Sequence, residues 1–128
     1  MRFLLDTHVF LALIDSGAAG LPAAAAALLQ GDDAEHHLSA ASLWEIAIKS
    51  RLGKLKLTAG LEVLPQILDR LAIRIVAIDE RHALASVEPE PTTRDPFDRM
   101  LLAQCQVEGL RLITIDRALV AHPLAARG

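Results

Sequence analysis

Three apolar segments of the sequence end in an aspartate at the point where a helical pattern begins. Asp6 ends FLLD, Asp79 ends IVAID and Asp116 ends LITID. In a parallel α/β sheet the carboxyl ends of all strands lie on one edge, and such folds bind ligands there. We therefore expect these carboxylates on a common edge of the sheet. Aspartate is also a frequent helix N-cap, so capping stays open as an alternative for each of them.

The segment RDPFDRMLLAQC contributes two further acids around a proline that favours a helix start. A helical projection places Asp95 on a narrow polar arc with Arg99, which suits an exposed N-cap with an ionic partner one turn on. Asp98 instead points between Leu102 and Cys105. A carboxylate in that direction is partly desolvated and needs hydrogen bonds, a cation or a metal ion. A capping-box role for Asp98 is the alternative.

Glu45, in SAASLWEIAIK, has two ordinary explanations. It matches a capping box with Ser42 and an i,i+4 ion pair with Lys49. The local pattern alone does not mark it as functional.

Several carboxylates on one edge repel each other unless a divalent cation holds them, and their oxygen donors suit Mg²⁺ or Mn²⁺. Such ions activate a water and stabilise the leaving oxygen when a phosphodiester is hydrolysed. The five histidines form no HxH or HExxH spacing, and His8, the only one near the edge, is expected to be structural. The sequence has no phosphate-binding glycine loop and no GxSxG motif. These residues favour metal-assisted hydrolysis.

Composition limits the classes of protein that the chain can represent. Its 128 residues fit one domain spanning residues 1–128, with 52% hydrophobic residues. No apolar run approaches the roughly 18 residues that span a bilayer, and Asp6 comes too early for a signal peptide, so we expect a soluble cytoplasmic protein. The single cysteine, Cys105, is expected to be a core thiol.

The net charge of −3 argues against a protein that binds nucleic acid over its whole surface. A local cationic strip interrupts the acidic balance, and it consists of Lys49, Arg51, Lys54 and Lys56. Either phosphate contacts or simple solvation explains this strip. Beside it, an apolar series of Leu55, Leu57, Leu61 and Leu64 is expected to be core rather than an interface, and Trp44 to pack rather than to stack on RNA.

Apolar strands and helical segments alternate along the chain. The strand pattern covers residues 2–5, 36–39, 73–78 and 111–115, and the helical pattern covers residues 7–15, 21–30, 42–52, 60–71, 80–87 and 96–108. Alternation of this kind, with strands that are apolar almost throughout, predicts an α/β fold with a mainly parallel sheet covered by helices on both faces.

Four segments, taken in order, resemble the PIN domain, in particular the VapC-type toxins of bacterial toxin–antitoxin pairs. They are LLDTHVFLALI, SAASLWEIAIKSRLGKLKL, RDPFDRMLLAQC and LITID. The resemblance implies a three-layer α/β/α sandwich with four to five short strands and a Mg²⁺- or Mn²⁺-dependent endoribonuclease activity. The catalytic, metal-binding acids that it implies are Asp6, Glu45, Asp98 and Asp116.

The resemblance also implies further roles and partners. Thr7 and Thr114 occupy hydroxyl positions beside the first and fourth acids, and Asp79 is left to cap a helix. Candidate substrate contacts are Thr7, Thr114, Lys49, Arg51, Lys54 and Arg99. The implied partners are an RNA substrate, a cognate antitoxin that blocks the acidic site, and a second copy of the toxin. Two alternatives stay open: a PIN-like binding module without nuclease activity, and a phosphoacceptor receiver domain.

Overall fold

A computed structural model describes residues 1–127, within which four strands alternate with six α-helices. In chain order these elements are β1 (Arg2–Leu5), α1 (Thr7–Ser16), α2 (Ala23–Leu29), β2 (Glu35–Ser39), α3 (Ala40–Arg51), α4 (Leu64–Arg70), β3 (Ile73–Val76), α5 (Glu80–Leu84), α6 (Pro96–Glu108) and β4 (Arg111–Ile113). Short 3₁₀ turns cover Gly17–Gly20 and Leu61–Val63. The predicted α/β class is confirmed.

The four strands form one sheet, entirely parallel, in the order β3-β2-β1-β4. From β1 the chain moves outward on one side to β2 and β3, and it then returns to the other side of β1 as β4. This order differs from the 2-1-3-4-5 arrangement of receiver domains, which removes that alternative. A reversal of strand order opens a crevice at the carboxyl ends of the strands that flank it. Here those strands are β1 and β4.

Alternate residues of the central strand enter two separate cores. Phe3 and Leu5 pack with residues of α1, α2 and α4, whereas Leu4 packs with residues of α6. In β4, Ile113 joins the first core and Leu112 the second. Since neighbouring strand residues point to opposite faces, helices cover both faces of the sheet. The predicted three layers and apolar strands follow from this arrangement.

Strand ends are set by the partner strands. We predicted strands as far as residues 78 and 115, but β3 ends at Val76 and β4 at Ile113. Val76 pairs with Ser39 and Ile113 pairs with Leu5, and in both partners a helix begins within two residues. Apolar residues beyond those pairs have no neighbouring strand to bond with, so the ladder stops.

The N-cap of α3, the helix that carries Glu45, lies three residues before Ser42, which the predicted capping box required as the N-cap. Ser39 is the N-cap, with its hydroxyl oxygen accepting a hydrogen bond from the N–H of Ala41 at 3.0 Å. Ser42 therefore lies inside α3, and the prediction that it forms a capping box with Glu45 is wrong. Its hydroxyl instead meets Thr7 Oγ1 at 2.8 Å. This hydrogen bond connects α3 to α1.

Helix α6 has the predicted bounds and the predicted cap. The Asp95 carboxylate accepts hydrogen bonds from the N–H groups of Phe97 and Asp98. Arg99 does not pair with Asp95 as we expected, because its guanidinium reaches Glu90 at 2.7 Å and the carbonyl oxygen of Thr93 at 2.8 Å. Arg99 thus fastens the preceding loop onto α6.

Burial confirms the expected role of the cysteine and overturns that of the tryptophan. Cys105 is buried, and desolvation raises the pKa of its thiol to about 12. Trp44 is 63% exposed, so the prediction that it packs in the core is wrong. The apolar series after α3 does pack on the core, with Leu64 buried and Leu55, Leu57 and Leu61 partly buried.

Within the described chain, no individual helix has the length and apolar character needed to cross a bilayer. A bent pair formed by Thr7–Gly20 and Ala23–Leu29 meets the criteria of length and composition only when its two parts are taken together.

Candidate active site

Asp6 lies at the carboxyl end of the central strand and is almost completely buried, at 2% exposure. Its N–H extends the sheet ladder to the carbonyl oxygen of Ile113 at 2.9 Å. One carboxylate oxygen accepts from the N–H of Thr7 at 2.7 Å, and the other accepts from the hydroxyl of Thr114 at 2.6 Å. Burial raises the pKa of Asp6 in spite of these hydrogen bonds. The residue therefore caps α1 and also presents a desolvated carboxylate.

Asp116 follows β4 on the neighbouring side of the same crevice. Its N–H donates to Thr114 Oγ1 at 3.1 Å, and its carboxylate accepts from the N–H of Ala118 at 2.8 Å. Thr114 thereby links the backbone of Asp116 to the carboxylate of Asp6. The register that pairs Leu5 with Ile113 produces this link, because it sets Thr114 beside Asp6.

Asp98 projects from the first turn of α6 toward the other two acids. Desolvation raises its pKa to about 6, and the negative charges of Asp95, Asp6 and Asp116 act in the same direction. Across the described residues, neither lysine nor arginine forms an ion pair with Asp6, Asp98 or Asp116. The structure therefore brings these three predicted acids into one group without a lysine or arginine partner, in which the charge of His8 partly offsets that of Asp6. We call this group the acidic centre.

Thr93 fixes the position of Asp98, and the sequence patterns did not identify it as a site residue. Its hydroxyl donates to Asp98 Oδ2 at 3.0 Å, and the same oxygen accepts from the N–H of Asp95 at 3.2 Å. Thr93 is buried, although it lies in a segment that reads only as a proline-rich loop. The only available signal was that a hydroxyl residue lies two residues before Asp95 and five before Asp98. No motif in the sequence marked that residue as part of a site.

Glu45 occupies a neighbouring position with a counter-ion of its own. It is buried on α3, and Lys49 Nζ approaches Glu45 Oε2 to 2.9 Å, so the ion-pair interpretation is confirmed. The two residues line a cavity of about 150 Å³ together with Thr7, His8 and Lys54. Because Thr7 is adjacent to Asp6, this cavity opens beside the acidic centre. Glu45 thus lies on the cavity that Thr7 also lines, and it is paired with a lysine, unlike the other three acids.

The basic residues that we predicted to contact the substrate differ in whether other residues already engage their side chains. Lys54 is exposed at the cavity, and Arg51 is exposed on the last turn of α3. Lys49 is engaged by Glu45. The donors of Arg99 are occupied by the loop at Glu90 and Thr93, so the structure does not bring Arg99 to the site as a free phosphate ligand.

A second group of side chains offers ligand atoms that could hold a metal ion. Atoms of Asp79, His82 and Glu108 all lie within 4.8 Å of one another. The guanidinium of Arg81 contacts Asp79 at 2.9 Å and Glu108 at 2.8 Å, which lowers the pKa of both carboxyls. For Glu108 the hydrogen bond from His82 is the largest cause.

Both ring nitrogens of His82 are already used within that group. The N–H of Asp79 donates to Nδ1 at 3.0 Å, so the ring proton lies on Nε2, which faces Glu108 Oε2 at 2.6 Å. Asp79 also caps α5, as predicted. We therefore interpret this second group as a hydrogen-bonded tie between α5 and α6, in which Arg81 offsets one of the two carboxylate charges.

The acidic centre lies in the crevice where the strand order reverses, on a parallel sheet with helices on both faces. A family model described as the PIN domain matches residues 3–123. The chain belongs to the PIN domain family. A search of curated proteins gives no match. PIN domains are typically metal-dependent nucleases. The crevice of this PIN domain is therefore relevant to metal chemistry.

The donor set of the acidic centre fits a hard divalent cation. Asp6, Asp98 and Asp116 offer only carboxylate oxygens, which Mg²⁺ and Mn²⁺ prefer. Asp6 is buried, the pKa of Asp98 is raised mainly by desolvation, and neither carboxylate has a lysine or arginine partner among the described residues. A bound divalent cation would offset this electrostatic cost.

Proposed function

We propose that this PIN domain is a Mg²⁺- or Mn²⁺-dependent endoribonuclease that acts as the toxin of a VapC-type toxin–antitoxin pair. The observation that carries the proposal is the acidic centre of Asp6, Asp98 and Asp116 at the carboxyl ends of β1 and β4, which has no lysine or arginine partner among the described residues. RNA is the substrate in this proposal, and the cytoplasm is where the cleavage would occur. The resemblance to VapC-type toxins supports the finer assignment.

The acids of the centre would hold the cation, and their neighbours fix how they do so. A bound divalent cation supplies water activation and charge stabilisation at the leaving oxygen of a phosphodiester. Thr114 donates to one oxygen of Asp6, and Thr93 donates to one oxygen of Asp98. Each of these hydrogen bonds fixes the orientation of a carboxylate before RNA arrives, which limits reorganisation during the reaction.

The cavity beside the acidic centre supplies the positive charge that an RNA backbone requires. Lys54 is exposed there, and Lys49 is held in place by Glu45. Lysine side chains at this position would contact phosphates on either side of the scissile bond. Glu45 would then act in the site by setting the position of Lys49, beside its implied role as a cation ligand.

A cation-dependence assay tests the nuclease proposal. Purified protein freed of any antitoxin is incubated with total cellular RNA in Mg²⁺ or Mn²⁺, and the cut ends are mapped by sequencing. We expect discrete internal cuts that stop with chelator and return when the cation is restored. Cleavage that persists in chelator would contradict the metal site. Intact RNA across the whole population would favour a PIN-fold binding module instead.

The proposed partners are a cognate antitoxin and a second copy of this chain. An apolar groove of about 550 Å³ lies between α1 and the segment before α4, lined by residues that include Leu11, Ile14, Leu55, Leu57 and Val63. An amphipathic antitoxin segment would bury its apolar face there. We expect the product of the adjacent reading frame to co-purify with the chain and to inhibit cleavage. Independent purification of the two products, with no inhibition, would contradict this partnership.

A further inference from the structure

The aromatic residues of this chain divide into two pairs with different surroundings. Phe3 and Phe10 are buried in the core at 2% and 0% exposure. Trp44 is 63% exposed, and Phe97 is half-buried. The rings of Trp44 and Phe97 contact each other edge to face, with centroids 5.8 Å apart and an interplanar angle of 67°. One pair thus builds the core, while the other presents an indole to solvent.

The second pair, which we call the aromatic lip, lies next in sequence to two of the predicted acids. Trp44 precedes Glu45 on α3, and Phe97 precedes Asp98 on α6. Helix α3 begins directly after β2, and α6 runs toward the start of β4, so both helices begin at the carboxyl edge of the parallel sheet. The ring contact joins α3 to α6 at that edge. The aromatic lip therefore lies at the same edge of the sheet as the acidic centre.

The negative charge of the site gives a physical reason for the aromatic lip to contribute to RNA binding. The acidic centre repels the phosphates of an RNA strand, and the net charge of the protein is −3. Contacts that do not depend on phosphate charge would add to the affinity that Lys49 and Lys54 supply from the neighbouring cavity. Bases stack on exposed aromatic faces, whatever their sequence, and each stacked base adds substantially to binding. Edge contact with Phe97 fixes the indole of Trp44 and leaves its outer surface open.

We propose that Trp44, supported by Phe97, is a stacking platform for an unpaired base of the RNA strand beside the scissile phosphate. This inference rests on the proposed ribonuclease function, because it assigns a substrate contact to the same crevice. It predicts that the enzyme engages single-stranded or looped RNA, in which a base is free to leave its own stack.

Intrinsic fluorescence tests the platform directly, since the chain has one tryptophan and no tyrosine. The full-length Asp98→Asn protein, chosen to keep RNA intact, is titrated with an oligoadenylate of about ten nucleotides in Mg²⁺. We expect saturable quenching of Trp44 emission. Emission that stays unchanged at saturating RNA, or the absence of any RNA binding, would overturn the platform.

Variants separate stacking from a general loss of surface. In the same background, the binding of labelled oligoadenylate is measured by anisotropy. Trp44→Leu should bind about 10-fold more weakly, whereas Trp44→Phe, which keeps an aromatic face, should stay within about 3-fold of the parent. Leu52→Ser is the matched control, since Leu52 is also 63% exposed and caps the same helix. Equal affinity of Trp44→Leu and its parent would refute the proposal.

Two further outcomes would separate the stacking platform from the nuclease proposal and from a protein interface. If wild-type protein fails to cleave RNA while Trp44 is still quenched and Trp44→Leu still weakens binding, the nuclease proposal fails and the platform survives. If Trp44→Leu instead converts a dimer to a monomer in sedimentation and leaves RNA affinity intact, the lip is a protein interface and the platform is wrong. Circular dichroism and thermal unfolding confirm that each variant is folded.

Discussion

Replacing Asp98 by asparagine abolishes RNA cleavage, with an expected loss of at least about 100-fold in rate. The substitution keeps the size of the side chain and leaves an oxygen that can still accept from Thr93. It removes the negative charge that the acidic centre contributes to cation binding. The rate of cleavage of one mapped RNA site, measured at saturating Mg²⁺ or Mn²⁺, checks this expectation.

Asp95 provides the matched control three residues earlier in the chain. Its carboxylate caps α6 through the N–H groups of Phe97 and Asp98, and asparagine caps a helix equally well. Asp95→Asn should therefore keep cleavage within a few-fold of wild type. Asp95→Ala, which removes the cap, should lower the free energy of unfolding by about 1 kcal/mol. Full activity in Asp98→Asn, or its loss in Asp95→Asn, would reverse our assignment of these two acids.

Glu108→Gln destabilises the fold by about 1 kcal/mol at neutral pH and leaves cation binding intact. The carboxylate of Glu108 bonds to the buried imidazole of His82 at 2.6 Å and pairs with Arg81 at 2.8 Å. A charged hydrogen bond to a buried group contributes more than this, but exposure of the carboxylate to solvent reduces its value. Urea unfolding of the two proteins in chelator measures the difference.

The pH dependence of that difference has a definite sign. The folded-state pKa of Glu108 is lowered from its usual 4.5. A group of this kind contributes stability above its unfolded-state pKa and loses it as the pH falls through the folded-state value. The stabilities of wild type and Glu108→Gln should therefore converge as the solution is acidified below about pH 4.5. A constant difference over that range would contradict the proposed ion pairing.

The same variant distinguishes the two groups that could hold a metal. Thermal unfolding with and without Mn²⁺ should show stabilisation by the cation in wild type and in Glu108→Gln, and a much smaller effect in Asp98→Asn. The opposite result would place the cation between Asp79, His82 and Glu108, and it would return the acidic centre to a structural role.

Local patterns in the sequence were sufficient for the framework of the fold. Short apolar runs located β1, β3 and β4, a weaker pattern located β2, and Asp95, Pro96 and Gly109 set the bounds of α6. Asp6, Asp79 and Asp116 were expected on one edge because parallel strands all point the same way. Asp6 and Asp116 are linked there through Thr114, whereas Asp79 caps α5 and pairs with Arg81. The framework of the fold depends on side-chain periodicity and on the capping of free N–H groups. Both involve residues close together in the sequence, so the sequence alone predicts them.

Tertiary structure decided which of the local alternatives were realised. Ser39 rather than Ser42 begins α3 because β2 ends there, and Arg99 pairs with Glu90 because the loop folds back over α6. The tie between His82 and Glu108 joins residues 26 positions apart, and the bond from Thr114 to Asp6 spans 108. No local pattern encodes such pairings.

The sequence by itself thus determined the elements and the parallel sheet, and it indicated Asp6, Asp98 and Asp116 as acids that could do chemistry, whereas Glu45 was indicated only by the family resemblance. Only the tertiary structure grouped Asp6, Asp98 and Asp116 without a lysine or arginine partner among the described residues, and left Trp44 exposed at the same edge of the sheet. The physical reason is that desolvation and charge coupling depend on which distant segments pack together. That outcome is fixed by the register of β1 with β4 and by the packing of α3 against α6.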